Sequence, residues 1–517
     1  MTGPSGAGAN PPATASRAAT ASGVNTATGT GTSTGKGPST GPATASAGRA
    51  APAGVTPGTA VRPDPLKLDA LGPNGPFRSR ERLTISDVAG APMAELSLVP
   101  RLFVHRAMAA LRKAETMPAE ERLAALARAA EAFEHGAPAG IPTDEYTHLV
   151  SRMSGMPISV VRSAARGIAR SVAGAGHDAG CARPMAAVES WRDPATREGR
   201  AVWTRRAEVF AVHAAGNHPG VHSLWPEALA LGYRVAVRPS RREPLTPYRL
   251  ITALRDAGFG DDQVVLLPTD RTVADDILRA ADLSMAYGGD EVVHKYAHDG
   301  TVLPQGPGRS KILVSGGDWR PHLDMIVDSV ADEGGTACVN TTAVYVEGDP
   351  TPLAEALAER LAAIPSLPPE DEGAVLPTQP VQTARAVEKY LLDHAGDATP
   401  RLGGDGIVDP LPGGGAVLRP AVFQVDRPDA PQTGIELGFP CVWVAPWSAK
   451  DGAGPLRDTL VLTAITEDAR LVDRLVDDPS ISNVYLGDHP TYWMRPDVPH
   501  DSYLGEFLMR TKAVIRD

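Results

Sequence analysis

Cys338 is the residue of this chain best placed to act as a nucleophile. It lies in DEGGTACVNTTAVYVE, where Gly334 and Gly335 end a predicted helix and a β-branched run predicts a strand. A thiol on a tight connection beside a strand is open to substrate and can form a covalent intermediate. An unpaired cysteine is more often a small buried hydrophobic residue, and we keep that interpretation for Cys181 and Cys441.

Two other positions place polar or flexible residues at the end of a predicted strand. Asn217 follows EVFAVHAAG and precedes Pro219 and Gly220, where a side-chain amide and helix N-terminal N–H groups can meet an oxyanion or a phosphate. By itself, such an asparagine is more often a turn or cap residue. Gly288 and Gly289 follow LSMAY, and glycines there would let the backbone approach a dinucleotide closely.

A metal site is not predicted. His213, His218 and His222 are close in sequence, but no nearby carboxylate or cysteine completes a ligand set with them. The three cysteines are odd in number and contain no C-x-x-C spacing, so they indicate neither a disulfide framework nor a thiolate zinc site.

The composition excludes several classes of function. A chain of 517 residues that is 42% hydrophobic can form two or three domains. The net charge of -11 comes without Lys/Arg clusters, which argues against a nucleic-acid partner or an anionic membrane surface. Because no apolar run is long enough for a membrane span and no signal-peptide core is present, we expect a cytoplasmic protein without membrane insertion.

The elements that must position these residues follow an α/β pattern. Residues 1–62 are almost wholly Ala, Thr, Gly, Ser and Pro, which predicts a disordered low-complexity tail. Residues 63–310 begin with helical segments and then alternate short β-branched strands with helices of about ten to fifteen residues, typical of a doubly wound, parallel-sheet dinucleotide-binding domain. Residues 311–480 repeat the alternation and predict a second α/β domain, the catalytic domain that carries Cys338, and residues 481–517 form a closing segment.

Taken in chain order, these segments resemble the aldehyde dehydrogenase superfamily from about Leu98 to the C-terminus. HAAGN resembles the family's Pro-Trp-Asn turn, with Ala215 and Gly216 in place of Pro-Trp, and GGTACVN resembles its Gly-Gln-x-Cys segment. The resemblance implies that Cys338 is the nucleophile and that Asn217 donates to the oxyanion. It also implies a small oligomerisation element, because HDSYLGEFLMRTKAVIRD resembles the family's closing segment, so we expect a homodimer or homotetramer.

The same resemblance implies a nicotinamide dinucleotide cofactor, to which Gly288 and Gly289 would also belong. VRPSRREPLTP resembles the family's Lys-Pro-Ser-Glu segment, with Arg238 and Ser240 at the lysine and serine positions and Arg241 where a glutamate often lies. A guanidinium pairs with a ribose 2′-phosphate, whereas a carboxylate repels it, so the sequence favours NADP(H) over NAD(H). IELGFPC resembles the Glu-x-Phe-Gly-Pro segment, without the glycine between Phe439 and Pro440, and implies that Glu436 contacts the nicotinamide ribose.

One departure from the family bears on the reaction. Hydrolytic members carry a Glu-Leu-Gly-Gly motif whose glutamate activates water, but this stretch reads QGPGRSKILV, with Gln305 at the glutamate position, 33 residues before Cys338. A carboxamide cannot accept a proton at neutral pH. Members that exchange acyl groups with coenzyme A often lack this glutamate, and a thiol needs less help from a base than water does. The resemblance therefore favours an acyl-CoA reductase that interconverts an aldehyde and an acyl thioester, similar to the fatty acyl-CoA reductases of bacterial luminescence.

Two alternatives remain open at this stage. The first is a hydrolytic aldehyde dehydrogenase that oxidises an aldehyde to a carboxylic acid, with Glu333 or Glu436 as the base. The second, of another class, is a non-catalytic scaffold that binds a nucleotide or a partner. The joint presence of Cys338, Asn217 and Glu436 argues against the scaffold.

Overall fold

The computed structural model describes residues 64–495 and 497–517 of the chain. The disordered tail predicted for residues 1–62 lies outside the described residues.

The N-terminal part of the described chain combines short strands with four long α-helices. The elements are β1 (Leu66–Leu68), β2 (Ala70–Gly72), β3 (Gly75–Phe77), β4 (Arg82–Ser86), β5 (Pro92–Ser97), α1 (Arg101–Lys113), α2 (Ala119–His135), α3 (Thr143–Ser154) and α4 (Ile158–Cys181). The break between α3 and α4 falls at Gly155, whose φ of 72° is left-handed, and Pro157 directly precedes α4. Glycine adopts a left-handed φ at little cost, and proline is well tolerated at a helix start.

The first large sheet follows in the sequence after β6 (Ala187–Val188) and β7 (Arg200–Arg205). Its elements are β8 (Val209–His213), α5 (Pro226–Ala230), β9 (Arg234–Arg238), α6 (Leu245–Asp256), β10 (Val264–Leu266), α7 (Arg271–Ala280), β11 (Leu283–Tyr287), α8 (Asp290–Tyr296) and β12 (Val302–Gln305). The strand order is β12-β11-β8-β9-β10-β2-β3, and the five strands from β12 to β10 run parallel. Strands β2 and β3 extend the sheet in antiparallel fashion.

Strand β8 shows why these short apolar runs form a sheet that is covered on both faces. Phe210 and Val212 pack into the core that contains residues of α2, α4 and α6, whereas Val209 and Ala211 pack into the core formed with α1 and α7. Successive side chains of a strand point to opposite faces, so a strand with helices on both sides is apolar throughout.

The second large sheet contains the strand that follows Cys338. Its region comprises β13 (Ser310–Val314), α9 (Leu323–Ala331), β14 (Thr341–Glu347), α10 (Thr351–Ala362), β15 (Thr378–Gln379), α11 (Val381–Ala395), β16 (Thr399–Leu402), β17 (Val408–Pro410), β18 (Ala416–Leu418), β19 (Ala421–Gln424), β20 (Cys441–Trp447), β21 (Thr459–Ile465), α12 (Ala469–Asp477) and β22 (Ile481–Leu486). The order is β16-β19-β20-β14-β13-β21-β22, parallel except at the β16 edge. Helices α9 and α10 cover one face, and α11 and α12 cover the other. The predicted α/β class with parallel sheets is confirmed.

Three small sheets complete the described part of the chain, in the orders β1-β5-β4, β15-β18-β17 and β23-β7-β6. After the short helix α13 (Leu504–Leu508), the last strand β23 (Met509–Val514) pairs antiparallel with β7 of the same chain, from Met509 opposite Arg205 to Val514 opposite Arg200. The predicted oligomerisation role of this segment and the predicted domain boundaries stay predictions.

One predicted helix is much shorter in the structure. The segment PGVHSLWPEALALGY, between β8 and β9, forms a 3-10 turn at Pro219–His222 and a five-residue helix α5 at Pro226–Ala230. Proline has no N–H and its ring clashes with the preceding turn, so Pro226 can begin a helix but cannot lie inside one. In the described part of the chain, no helix combines the length and the apolar character that crossing a bilayer would require.

Candidate active site

Cys338 lies on the short connection between the 3-10 turn Asp332–Gly335 and β14. Asn340 holds this connection, because its Oδ1 accepts a hydrogen bond from the backbone N–H of Ala337 at 2.9 Å and its Nδ2 donates to the carbonyl of Asp332 at 2.8 Å. The side chain of Cys338 is partly exposed. The thiol is therefore accessible on a loop whose backbone is fixed, as predicted for its location.

The glycine-rich stretch after Gln305 packs directly on the Cys338 backbone. A Cβ atom at Gly308 would lie 1.8 Å from the carbonyl oxygen of Cys338, and Ser310 Oγ donates a hydrogen bond to that oxygen at 3.1 Å. Gln305 itself is buried at the end of β12, where its carbonyl accepts from the N–H of Gly288 at 3.0 Å. The stretch QGPGRS links β12 of the first large sheet to β13 of the second, and because β13 pairs with β14, this stretch lies beside the cysteine loop.

Asn217 reaches the same loop from the end of β8. Its Nδ2 donates to the carbonyl of Thr336 at 3.0 Å, two residues before Cys338. An amide has two N–H donors, and this bond uses one of them. The preceding Gly216 lies so close to Ser240 that a Cβ would be 2.1 Å from the Ser240 Oγ, which gives a steric reason for glycine where the family pattern has a tryptophan.

His500 is a site residue that our sequence analysis missed. Its Nε2 lies 3.7 Å from the Sγ of Cys338, and its Nδ1 lies 3.5 Å from Oδ2 of Asp501. Burial acts to lower the pKa of His500, but the Cys338 sulfur and the Asp501 carboxylate outweigh it and hold that pKa well above its usual value. The available signal is the His-Asp pair at the start of HDSYLGEF, within the closing segment to which the family resemblance gives only an oligomerisation role.

The two glutamates considered as alternative bases occupy different environments. Glu333, in a left-handed conformation with φ of 53°, has its Oε2 only 2.5 Å from Nε2 of His218. Glu436 lines a small cavity with Thr336 and accepts a hydrogen bond from the backbone N–H of Arg309 at 2.6 Å. Burial raises the pKa of Glu436 to about 7, against the opposing effect of that N–H group. Glu333 is thus engaged by an imidazole, while Glu436 titrates near neutrality beside the cysteine loop.

A group of arginines surrounds Thr269, where the family resemblance implies adenosine ribose binding. Arg238 Nε donates to Thr269 Oγ1 at 2.9 Å, and Arg241 Nη2 lies 3.4 Å from the Thr269 carbonyl. The buried Nε of Arg241 has no hydrogen-bond partner within residues 64–495 and 497–517. Burial lowers the pKa of Arg238, and the positive charges of Arg241 and Arg271 lower it further. Several positive charges and an unpaired N–H donor together suit an anion.

The other residues predicted to bind the cofactor make the following contacts within the chain. Ser240 Oγ accepts from the N–H of Arg242 at 3.1 Å. Gly288 packs against Val292 so closely that a Cβ on Gly288 would lie 2.3 Å from Val292 Cγ2, whereas a Cβ at Gly289 would meet nothing within 4 Å. Gly288 is therefore required by packing, and Gly289 lies in open space at the N-terminus of α8.

Comparison with known proteins identifies the fold and the family. The model of the aldehyde dehydrogenase family matches residues 81–453. This chain belongs to the aldehyde dehydrogenase family. It is 26% identical over 157 residues to malonate-semialdehyde dehydrogenase 1 of Geobacillus thermodenitrificans, an alignment that covers 28% of this chain and spans about a third (32%) of that relative.

Solved structures resemble this aldehyde dehydrogenase over most of its length. An indole-3-acetaldehyde dehydrogenase in complex with NAD+ and the gamma-glutamyl-gamma-aminobutyraldehyde dehydrogenase of Burkholderia cenocepacia each give a TM-score of 0.74 at 18% identity, with 87% of this chain and 96% of theirs covered. An NAD-dependent aldehyde dehydrogenase of Sinorhizobium meliloti gives 0.74 at 18% identity, with 87% and 95% covered. At this level of identity, the likeness establishes the shared fold.

The three histidines near β8 do not come together in this aldehyde dehydrogenase. His218 pairs with Glu333, and the buried His222 accepts a hydrogen bond from Trp225 Nε1 at 3.1 Å. His213 lies at the end of β8, and its buried Nε2 has no hydrogen-bond partner in the described part of the chain. No group of three or more His, Cys, Asp or Glu side chains suited to a metal ion occurs among the described residues.

Proposed function

We propose that this aldehyde dehydrogenase interconverts an aldehyde and an acyl thioester, with NADP(H) as hydride carrier and coenzyme A as acyl donor or acceptor. The observation that carries the proposal is Gln305, which ends the strand leading into the stretch packed on Cys338. A carboxamide at this place cannot activate water. An acceptor that is itself a thiol needs less activation, because its pKa lies near ~8.5.

In the reductive direction, the Cys338 sulfur attacks the acyl carbon of the thioester. The new carbon–sulfur bond forms as the bond to the coenzyme A sulfur breaks, which leaves the acyl group on Cys338. The amide of Asn217, already hydrogen-bonded to the cysteine loop, donates to the oxygen that becomes negative during attack. When bound, the nicotinamide supplies the hydride in this direction and accepts it in the reverse direction.

The residues around Thr269 fit a dinucleotide that carries a 2′-phosphate. The buried Nε of Arg241, which no described residue bonds, and the positive charges of Arg238 and Arg271 would hold this phosphate. Glu436 would accept from the nicotinamide ribose. Hydrogen bonds to charged groups contribute about 1.5–3 kcal/mol each, so replacing Arg241 with Glu should reduce the preference for NADPH over NADH by about tenfold to a hundredfold. Arg279→Glu is the matched control, because Arg279 lies on α7 and pairs with Asp276.

The first experiment is turnover of a panel of acyl-CoAs with NADPH, followed by absorbance and by release of free thiol. The reverse reaction is run with NADP and aldehydes, with and without coenzyme A, and Cys338→Ser serves as the inactive control. Coenzyme-A-dependent turnover with thiol release equal to cofactor oxidation is expected. Aldehyde oxidation that proceeds equally well without coenzyme A would rule the proposal out.

A second candidate is hydrolytic oxidation of an aldehyde to a carboxylic acid. The raised pKa of Glu436, about 7, favours this candidate, because a general base works best when its pKa is near the operating pH. Glu436→Gln distinguishes the two: it would abolish coenzyme-A-independent oxidation if Glu436 were the base, whereas in the thioester reaction it weakens cofactor binding.

A further inference from the structure

The C-terminal segment brings an imidazole to the nucleophile. His500 Nε2 lies 3.7 Å from Cys338 Sγ, although the two residues are 162 positions apart in sequence. Asp501 Oδ2 lies 3.5 Å from the other ring nitrogen, Nδ1. A nucleophile, an imidazole and a carboxylate in this order form the arrangement by which a base activates a thiol and a third group orients the base.

The backbone of His500 is tied to the same network that holds Cys338. The buried Asn483, on β22, donates its Nδ2 to the carbonyl of His500 and to the carbonyl of Leu460 at 2.9 Å. The N–H of Leu460 in turn donates to the carbonyl of Gly308 at 2.7 Å, and Gly308 packs on the Cys338 backbone. Hydrogen bonds therefore hold the backbone from which the imidazole of His500 extends.

The charges around His500 favour its protonated form. The Cys338 sulfur approaches from the loop before β14, Asp501 lies beside the ring on its own segment, and Tyr287 approaches from β11. Burial and its proximity to Cys338 and Asp501 raise the pKa of Tyr287, so that its phenol stays neutral and adds no competing charge. A cationic imidazole next to the sulfur stabilises a thiolate.

We infer that His500 is the acid–base residue of this active site, and that Asp501 positions it. His500 accepts the proton that leaves the Cys338 thiol, so that an imidazolium lies beside the thiolate when the sulfur attacks. When the thiolate attacks a thioester, a bond forms between Cys338 Sγ and the acyl carbon. The bond from that carbon to the leaving thiol sulfur breaks, and the His500 proton passes to that sulfur. In the reverse step, neutral His500 takes the proton of the incoming thiol, so no base is required at Gln305.

The inference rests on Cys338 being the nucleophile of the proposed function, but it does not depend on the identity of the acyl acceptor. It can therefore be tested without any cofactor, by measuring the rate at which iodoacetamide alkylates Cys338 as a function of pH in the full-length protein. Peptide mapping by mass spectrometry separates this adduct from those at Cys181 and at the buried Cys441.

We expect the wild-type protein to alkylate at Cys338 well below the pH at which an ordinary thiol reacts. At about pH 6, His500→Gln should react at least about tenfold more slowly, and the two proteins should converge near about pH 9, where an ordinary thiol is ionised. His322→Gln is the matched control, because His322 also pairs with an aspartate, Asp488, at 2.8 Å. Identical pH profiles for His500→Gln and wild type would overturn the inference.

Acyl transfer provides the second measurement. Release of coenzyme A from an acyl-CoA in a single turnover, without nicotinamide, should fall by about 10²–10⁴-fold in His500→Ala and recover when free imidazole is added. Asp501→Asn should shift the pH profile of this step, a change that a merely structural role would not produce. If alkylation depends on His500 but no acyl-CoA reacts with the wild type, the inference stands and the proposed function fails. If acyl-CoA reacts equally fast in His500→Ala and wild type, the inference fails alone.

Discussion

Replacing Gly308 with alanine tests whether the glycine-rich stretch sets the position of Cys338, the proposed nucleophile. The added Cβ would lie 1.8 Å from the carbonyl oxygen of Cys338, 2.7 Å from its carbonyl carbon and 3.1 Å from its Cβ. Carbon and oxygen atoms in close contact are normally about 3.3 Å apart, so the two segments must separate by about 1.5 Å. Neither segment moves easily, because Gly308 accepts from Leu460 at 2.7 Å and Cys338 accepts from Ser310 at 3.1 Å.

The expected effect is larger on activity than on stability. A misplacement of about 1 Å in a reacting group can cost about 100-fold in rate, so we expect kcat to fall by about 100-fold. Overpacking of this kind costs about 1–3 kcal/mol of folding free energy, which lowers the melting temperature by several degrees and leaves the protein folded.

The assay is steady-state turnover of Gly308→Ala beside a thermal unfolding curve. Gly306→Ala is the control, because a Cβ there lies 2.6 Å from one methyl group, Val293 Cγ2, and meets no backbone atom within 4 Å. We expect the control to keep most of the wild-type activity. Wild-type turnover and melting temperature in Gly308→Ala would refute the argument that this contact fixes Cys338.

Three further predictions concern single side chains. Asn217→Ala removes the proposed oxyanion donor, which also bonds to the Thr336 carbonyl. It should lower kcat by about 10²–10³-fold, and a change confined to KM would contradict the proposed role. Burial raises the pKa of Glu436 to about 7. If this carboxylate accepts from the cofactor ribose as proposed, the cofactor KM should rise as the pH falls below about 7, because the carboxylate becomes protonated. In Glu436→Gln the KM should not vary over this range. Burial and the neighbouring Asp178 raise the pKa of Glu227 from 4.5 to about 8. The folded state therefore favours the protonated carboxyl. The free energy of unfolding is highest below the pKa that Glu227 has in the unfolded state, and it falls as the pH rises through the pKa in the folded state. Glu227→Gln should remove this loss and raise the melting temperature at about pH 8 by several degrees. If the melting temperatures of wild type and Glu227→Gln varied with pH in the same way, this prediction would be wrong.

Much of the fold could be predicted because it depends on local patterns. The runs VFAVH, RVAVR and LSMAY are mainly apolar and form the largely buried parallel strands β8, β9 and β11. The segment before β9 was harder to interpret, because its apolar periodicity suggested a longer helix, whereas Pro219 and Pro226 confine it to a turn and a helix of five residues.

Some features of the candidate site could likewise be predicted from the sequence, whereas others could not. Residue types and their near neighbours were enough to establish that Cys338 lies on a glycine-bounded loop, that Asn217 follows a strand, and that position 305 has no carboxylate. Only the folded chain shows which side chains distant in sequence lie together in this site. His500 lies beside the Cys338 sulfur, and Glu333 pairs with His218. Such contacts come from the packing of two sheets and a C-terminal segment against one another, and the pattern of a single stretch of chain carries no record of that packing.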